Sequence, residues 1–158
     1  MTLKEIITRA VDPALALLPA KMDTAAARVM LLAIGLQESR FLHRRQIGGP
    51  ARGFWQFEKG GGVRGVLTHA STREQAQLVC KARGIPATAD AVYEALDKDD
   101  VLAAAFARLL LWSDPKALPA LGEADAGWAL YLRTWRPGKP HSQTWPDLFR
   151  QAVAEVEP

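Results

Sequence analysis

Cysteine is nearly absent from this sequence. Cys80 is the only one, which excludes an internal disulfide and a zinc site built on cysteine ligands. The three histidines, His43, His69 and His141, show no metal-ligand spacing and no His-Glu-x-x-His pattern. We therefore expect no metal and no cofactor, and we interpret Cys80 as a small core residue of a protein that folds in a reducing compartment.

Long apolar runs are also missing. No stretch approaches the roughly 20 apolar residues that a membrane-spanning helix needs, so we expect no stable membrane insertion. The N-terminal segment has an acid at Glu5 and is broken by Arg9, Asp12 and Pro13, which does not resemble a secretory signal. We expect a protein made in the cytoplasm that needs another agent to carry or release it if it acts outside.

A large excess of one charge is absent as well. Lys and Arg together number 20 and Asp and Glu 17, a net charge of +3. This mild positive charge suits an anionic partner but is far from the dense charge of a dedicated nucleic-acid binder. A helical DNA-binding protein remains a minor hypothesis, based on Arg40, Arg44, Arg45 and Arg52, but we expect no nucleic-acid partner.

Strand patterns are scarce, whereas apolar residues recur at helical spacing through most of the chain. We predict a mostly α fold in a single domain, 1–158, with a small β-hairpin or irregular loop near residues 50–60. The first helix is expected to end or kink at Pro13. Asp23 or Thr24 and Ser71 are the predicted N-terminal caps of two later helices, and Gly84 is the predicted C-terminal cap of the second. Further helices are expected from Thr88 to Leu96, from Val101 to Trp112 with Asp99 and Asp100 at its start, over 122–133, and from Thr144 onward.

Glu38 is the unusual residue in this pattern. It follows a nearly unbroken apolar run, 25–36, and precedes the aromatic cluster 54–57. A carboxylate at the C-terminal end of a helix faces the negative end of the helix dipole, and apolar neighbours would desolvate it. Both effects raise the pKa of a glutamic acid, which is what a general acid in glycosidic bond cleavage requires. The alternative is an ordinary solvated glutamate at a helix end.

The surrounding motif favours the catalytic interpretation. Glu38-Ser39-Arg40-Phe41, followed by Pro50-Ala51-Arg52-Gly53-Phe54-Trp55-Gln56, resembles the signature of lytic transglycosylases and goose-type lysozymes in the lysozyme-like superfamily. In that signature Glu-Ser-x-Phe precedes Gly-Ala-x-Gly-Leu-Met-Gln. Here Pro50 replaces a glycine, Phe54-Trp55 replace Leu-Met, and Ile47-Gly48-Gly49 stand where the family has a serine. The resemblance covers roughly residues 30 to 60.

The resemblance implies a set of roles for the residues around Glu38. Glu38 would be the catalytic acid that protonates the bridging oxygen between sugars. Gln56, together with the backbone around Gly53, would orient the sugar. Ser39, Phe54 and Trp55 would also bind the substrate.

Glu58, two residues past Gln56, is a second candidate catalytic carboxylate. Goose-type lysozymes have an acid at this point that is thought to position or activate water, and an inverting hydrolase needs two carboxylates about 6.5–9.5 Å apart. A lytic transglycosylase needs only the first acid, since the substrate's own hydroxyl attacks. A loop carboxylate beside Lys59 is an equally good interpretation of Glu58, so the sequence leaves both roles and both reactions open.

The C-terminal third adds aromatic residues whose faces stack well on sugar rings. In the family, a helix ending in Tyr-Asn closes the cleft over the catalytic glutamate. Tyr131 resembles this tyrosine, although Leu132 replaces the asparagine. Trp135 is either a core residue or a platform for a sugar, and both residues are candidate substrate contacts.

Together these observations predict a monomeric enzyme that cleaves the β-1,4 bond between N-acetylmuramic acid and N-acetylglucosamine. Its partner would be the glycan strand of peptidoglycan, and its place of action the bacterial cell wall. The size and the N-terminal sequence suit a phage or prophage product, such as an endolysin. The alternative is a non-catalytic lysozyme-like module for glycan binding or phage assembly.

Overall fold

The helix that carries Glu38 also forms the centre of the molecule. A computed structural model describes residues 1–157, and they are mostly helical, as predicted. The helices are α1 (Leu3–Ile6), α2 (Asp12–Ala16), α3 (Ala25–Ser39), α4 (Arg64–Thr68), α5 (Arg73–Arg83), α6 (Ala89–Ala95), α7 (Asp100–Trp112), α8 (Ala124–Trp135) and α9 (Trp145–Val156). A single hydrophobic core is shared by all parts of the chain.

Helices α3 and α7 are the two core helices. Almost every residue of 29–36 in α3 and of 101–111 in α7 is buried, which explains why both sequences are apolar on all sides. Thr24 caps α3 by accepting a hydrogen bond from the Ala27 amide (3.1 Å), and Asp99 caps α7 by accepting one from the Leu102 amide (3.0 Å). Helix α9 packs chiefly against α3.

The first helix does not end at Pro13. A π-helical turn, Ile7–Val11, joins α1 to α2, and Pro13 lies in the first turn of α2. Proline lacks a backbone N–H, and it is tolerated at the start of a helical segment, where that donor has no intrahelical partner. The change from π to α geometry at this point lets the chain continue helically to Ala16.

The predicted cap Ser71 is wrong, whereas the predicted start of the last helix at Thr144 is confirmed. Ser71 does not cap α5: its hydroxyl lies 2.8 Å from Nδ1 of His69. Thr144 occupies the N-cap position of α9, but its side chain does not bond the helix backbone: its hydroxyl donates to Oε1 of Gln37 (2.9 Å), a residue of α3. In both residues the hydroxyl interacts with another side chain, His69 or Gln37, instead of with the backbone at the start of the helix. Gly84 caps α5 as predicted, and Thr88 caps α6 at the predicted start of that helix.

Residues 40 to 58 form an irregular loop, with two isolated antiparallel bridges, Arg45–Arg52 and Arg52–Phe57, instead of a regular hairpin. Ion pairs join this loop to α6 and α7 and their connection. The pairs are Arg44–Asp100, Arg45–Asp97 and Arg52–Glu94. Three of the four arginines that suggested DNA binding therefore have carboxylate partners within the chain.

Candidate active site

Glu38 lies in the last turn of α3 and is partly exposed, between the buried Leu36 and the buried Ser39. The pKa of Glu38 is raised to about 7: burial of the carboxyl raises it most, the Tyr131 hydroxyl lowers it in part, and the nearby charge of Glu58 also raises it. The predicted direction of this pKa shift is confirmed. Near neutral pH a substantial fraction of Glu38 therefore carries a proton that it can donate.

Tyr131 supplies a hydroxyl to the site and not a ring face. Only 2% of Tyr131 is exposed, and its ring stacks on Trp145 with centroids 5.5 Å apart and planes 12° from parallel. Burial and the charge of Glu38 both raise the pKa of the Tyr131 hydroxyl, so it stays protonated. The prediction that Tyr131 stacks on sugar is corrected: its ring is core, and its hydroxyl faces Glu38.

Glu58 lies close enough to Glu38 for their charges to interact, although 20 residues separate them in sequence. Unlike Glu38, it is exposed. The two carboxyl groups thus differ in environment: burial favours the protonated form of Glu38, whereas Glu58 is in contact with water. This is the asymmetry that separates an acid from a base in glycoside hydrolysis.

Ser39 is a positioning residue. It is 5% exposed, its hydroxyl donates to the carbonyl oxygen of Phe54 (2.7 Å), and it accepts a hydrogen bond from the Phe41 amide (3.1 Å). These bonds fix the end of α3 to the aromatic segment of the loop. Because the hydroxyl is already bonded inside the protein, Ser39 is not in position to contact a substrate. The prediction that Ser39 binds substrate is wrong.

Phe54 and Trp55 are core residues. Each is 1% exposed, and each meets the ring of Phe41 edge to face with centroids 5.5 Å apart. Trp55 also donates its indole N–H to the carbonyl oxygen of Leu31 (2.8 Å). The prediction that these two side chains bind substrate is wrong in this conformation, because no face of either ring is accessible. They fill the space beneath the site instead.

Gly53 and Gln56 are the first and last residues of the turn that contains Phe54 and Trp55. Both have positive φ, 77° and 54°. A Cβ on Gly53 would lie 3.1 Å from the carbonyl oxygen of Leu96, so both space and backbone conformation require glycine here. The Gln56 amide donates to the carbonyl oxygen of Gly53 (2.8 Å). Gly53 is buried, and of the pair only the partly exposed Gln56 retains surface for a ligand.

Trp135 combines the two roles that the sequence left open. Its indole N–H donates to the carbonyl oxygen of Trp55 (2.8 Å), and its ring packs edge to face on Phe57 at 5.8 Å. It is also partly exposed and lines a cleft. Trp135 therefore ties the end of α8 to the loop and leaves part of its ring available.

This cleft measures about 600 Å³ and has Glu58 and Trp135 in its wall. Its other side is formed by the glycine-rich turn 60–62, by α4 and by the end of α7. Arg64, His69 and Arg136 also line it, and the two arginines contribute positive charge. Of these, Arg64 and His69 had no pattern in the sequence that linked them to the motif around Glu38.

Backbone strain is concentrated around the same residues. Four described non-glycine residues have positive φ: Arg40, Phe41, Gln56 and Arg136. Each is a candidate site residue or lies within two positions of one. A residue with positive φ often ends a helix, but that residue is usually glycine. Arg40 and Arg136 adopt positive φ at helix ends although they carry side chains, and Phe41, directly after Arg40, does so too. Such strain persists where the surrounding packing fixes it, which is frequent at functional sites.

No protein family model, curated protein or solved structure matches this chain. Among residues 1–157, no helix has the length and apolar character needed to cross a membrane. The same part of the chain contains no cluster of three His, Cys, Asp or Glu side chains suited to a metal ion.

Proposed function

We propose that this protein is a glycosidase that cleaves the β-1,4 bond between N-acetylmuramic acid and N-acetylglucosamine in peptidoglycan, with Glu38 as the general acid. The observation that carries the proposal is the environment of Glu38, which raises its pKa to about 7, together with the nearby exposed carboxylate of Glu58, which lines the cleft. The motif around Glu38, which resembles that of lytic transglycosylases and goose-type lysozymes, supplies the substrate class.

In this mechanism protonated Glu38 gives its proton to the bridging oxygen as the bond from that oxygen to the sugar's anomeric carbon breaks. The electron pair of the bond stays on the oxygen, which leaves as a hydroxyl, and positive charge develops on the sugar. Glu38 becomes a carboxylate, which the Tyr131 hydroxyl stabilises, since it favours the ionised form. Tyr131 thus prepares Glu38 to release its proton.

The sugar cation is then captured by an oxygen nucleophile. In hydrolysis the nucleophile is water, and the exposed Glu58 carboxylate would take its proton. In transglycosylation a hydroxyl of the same sugar attacks and an anhydro end forms, with ionised Glu38 accepting the proton. Both routes give an uncharged sugar product. Only hydrolysis needs Glu58.

The test is digestion of purified peptidoglycan, followed by mass spectrometry of the released fragments. Wild-type protein is expected to release muropeptides, and Glu38→Gln to release none while keeping its fold. Glu74→Gln, an exposed glutamate on α5, is the matched control and should retain full activity. Reducing ends lost in Glu58→Gln would show hydrolysis, whereas anhydro ends retained in Glu58→Gln would show transglycosylation.

Full activity of Glu38→Gln, or no product from the wild type, would refute the enzymatic proposal. Binding of glycan strands without product would assign the chain to the alternative class, a non-catalytic glycan-binding module. We place the site of action at the bacterial cell wall as part of a phage or prophage product. Clearing of a cell suspension only after the membrane is permeabilised would support that placement.

A further inference from the structure

A second cavity contains a buried guanidinium that is only partly satisfied. Arg108 of α7 is 2% exposed, and its Nε donates to the carbonyl oxygen of Met22 (2.8 Å). Its Nη1 is buried and has no hydrogen-bond partner among residues 1–157. Charged side chains are almost never buried without a partner, because loss of hydration strongly disfavours the charged form.

The acids near Arg108 are already committed to other arginines. Asp23 makes a two-bond pair with Arg28 (2.8 and 3.2 Å), and its charge reaches Arg108 only at longer range. Asp114 makes a two-bond pair with Arg133 (3.0 and 3.1 Å). Burial lowers the pKa of Arg108 to about 10, so the guanidinium remains charged at neutral pH despite its desolvation.

Arg108 lies in the wall of a cavity of about 630 Å³, separate from the candidate active site except for shared residues at 114–115. Lys21 and Lys116 also line this cavity, and neither forms an ion pair with a described residue. Trp112 provides an aromatic wall, with Lys21 Nζ 5.4 Å and Arg108 Cζ 5.5 Å from its ring centroid.

Most of the remaining wall is apolar, with Leu111 and Leu118 in addition to Trp112, and Thr24 and Asp114 are its polar residues. Three cations thus surround an aromatic and aliphatic space whose one acidic residue, Asp114, is paired. Guanidinium groups bind carboxylates through two parallel hydrogen bonds, and neither terminal nitrogen of Arg108 bonds a side chain among residues 1–157. An apolar body would occupy the space against Trp112 and the leucines.

We propose that this cavity is a binding site for an organic carboxylate with an apolar or aromatic body, held by Arg108, Lys21 and Lys116 against Trp112. The site is independent of the proposed glycosidase chemistry, because it uses none of the residues around Glu38. It gives the buried guanidinium the partner that the described chain does not provide.

The probe is benzoate, and the measurement is the shift of the Trp112 indole N–H signal in NMR spectra of the full chain. Benzoate is expected to shift this signal saturably. Benzyl alcohol, which has the same ring without the charge, should bind about tenfold more weakly or not at all, because charge-assisted hydrogen bonds are lost. Saturable binding of inorganic phosphate without binding of benzoate would overturn the assignment to a carboxylate with an apolar body.

Variants identify the residues responsible. Arg108→Met should abolish benzoate binding, and Lys21→Met should weaken it by up to about fivefold, the effect of one exposed charge pair. Lys4→Met, an exposed lysine on α1, is the matched control and should bind as the wild type does. If Arg108→Met does not fold, the combined Lys21→Met and Lys116→Met variant decides: an unchanged dissociation constant overturns the proposal. Glu38→Gln should leave benzoate binding intact, which separates this test from that of the proposed function.

Discussion

At the scale of single residues, the pair Glu38 and Tyr131 determines the chemistry that the site can perform. Burial keeps the proton on Glu38, while the Tyr131 hydroxyl favours its release. The two effects oppose each other, and burial is the larger. The balance leaves the pKa of Glu38 at about 7, close to the pH at which a general acid is most efficient.

Replacement of Tyr131 by phenylalanine should therefore move the pH profile upward. Wild-type kcat/KM is expected to fall above about pH 7 as Glu38 loses its proton. In Tyr131→Phe the hydroxyl that stabilises the carboxylate is missing, so the fall should begin at higher pH, and the rate on the acidic plateau should be lower. The measurement is kcat/KM on soluble glycan fragments between pH 5 and 9. A profile that keeps its midpoint would show that Tyr131 has no effect on the acid.

At the scale of secondary-structure elements, the end of α3 and the loop that follows it depend on close packing between Gly35 and Phe41. A Cβ on Gly35 would lie 2.1 Å from Cζ of Phe41, far inside contact distance. The Phe41 ring is 1% exposed and is enclosed by Phe54 and Trp55, so it has no free space to move into. The ring of Phe41 is thus seated directly on the helix backbone.

Gly35→Ala should be destabilising despite the better helix propensity of alanine. Propensity favours alanine by about 1 kcal/mol, but the clash requires movement of a packed ring and costs about 3 kcal/mol or more. Gly65→Ala in α4 is the matched control, since a Cβ there meets nothing within 4 Å, and it should stabilise by about 0.5–1 kcal/mol. Chemical denaturation measures both; equal effects of the two substitutions would contradict the packing argument.

Sequence alone predicts the elements better than it predicts which side chains are exposed. The cap Thr24, the helix start at Thr88 and the acid Asp99 at the start of α7 all act on their own local backbone, so sequence identifies these helix beginnings. The oxygen of Thr144 instead binds Gln37, a partner 107 positions away. Burial of Phe54 and Trp55 likewise depends on α3 and Phe41, which no local pattern reveals.

The candidate site likewise contains residues that the sequence identifies and residues that only the tertiary structure reveals. Glu38 is found from sequence because an acid beside an apolar helical run is a local anomaly, and the direction of its pKa shift follows from that position. The contributions of Arg64 and His69 to the cleft wall come from α4 and the turn that follows it, and only tertiary structure brings them near Glu58. Arg108 is similarly inconspicuous in sequence, since arginine in a helix is normally exposed.

At the scale of the whole molecule, Glu38 makes global stability depend on pH. The folded state binds the Glu38 proton more tightly than the unfolded state, because burial raises the pKa from 4.5 to about 7. Below pH 4.5 Glu38 is protonated in both states and contributes no penalty. As pH rises from 4.5 through 7, the unfolded state ionises more readily, so the free energy of unfolding falls.

Glu38→Gln should remove this penalty, because a neutral amide of the same size replaces the ionising group. Relative to wild type, the variant is expected to be more stable at pH 8 by up to about 3 kcal/mol, reduced in proportion to the exposure of the carboxyl. Near pH 4.5 the two proteins should have similar stability. Urea denaturation at both pH values measures the difference, and a variant no more stable at pH 8 would indicate an ordinary, solvated Glu38.

The most direct measurement is an NMR titration of the Glu38 side-chain carboxyl carbon in the folded protein, assigned by comparison with Glu38→Gln. The signal is expected to change with a midpoint near pH 7, and near a lower value in Glu58→Gln, where the neighbouring negative charge is gone. A midpoint near 4.5, the ordinary value for a glutamate, would contradict the claim that the fold holds this acid protonated for catalysis.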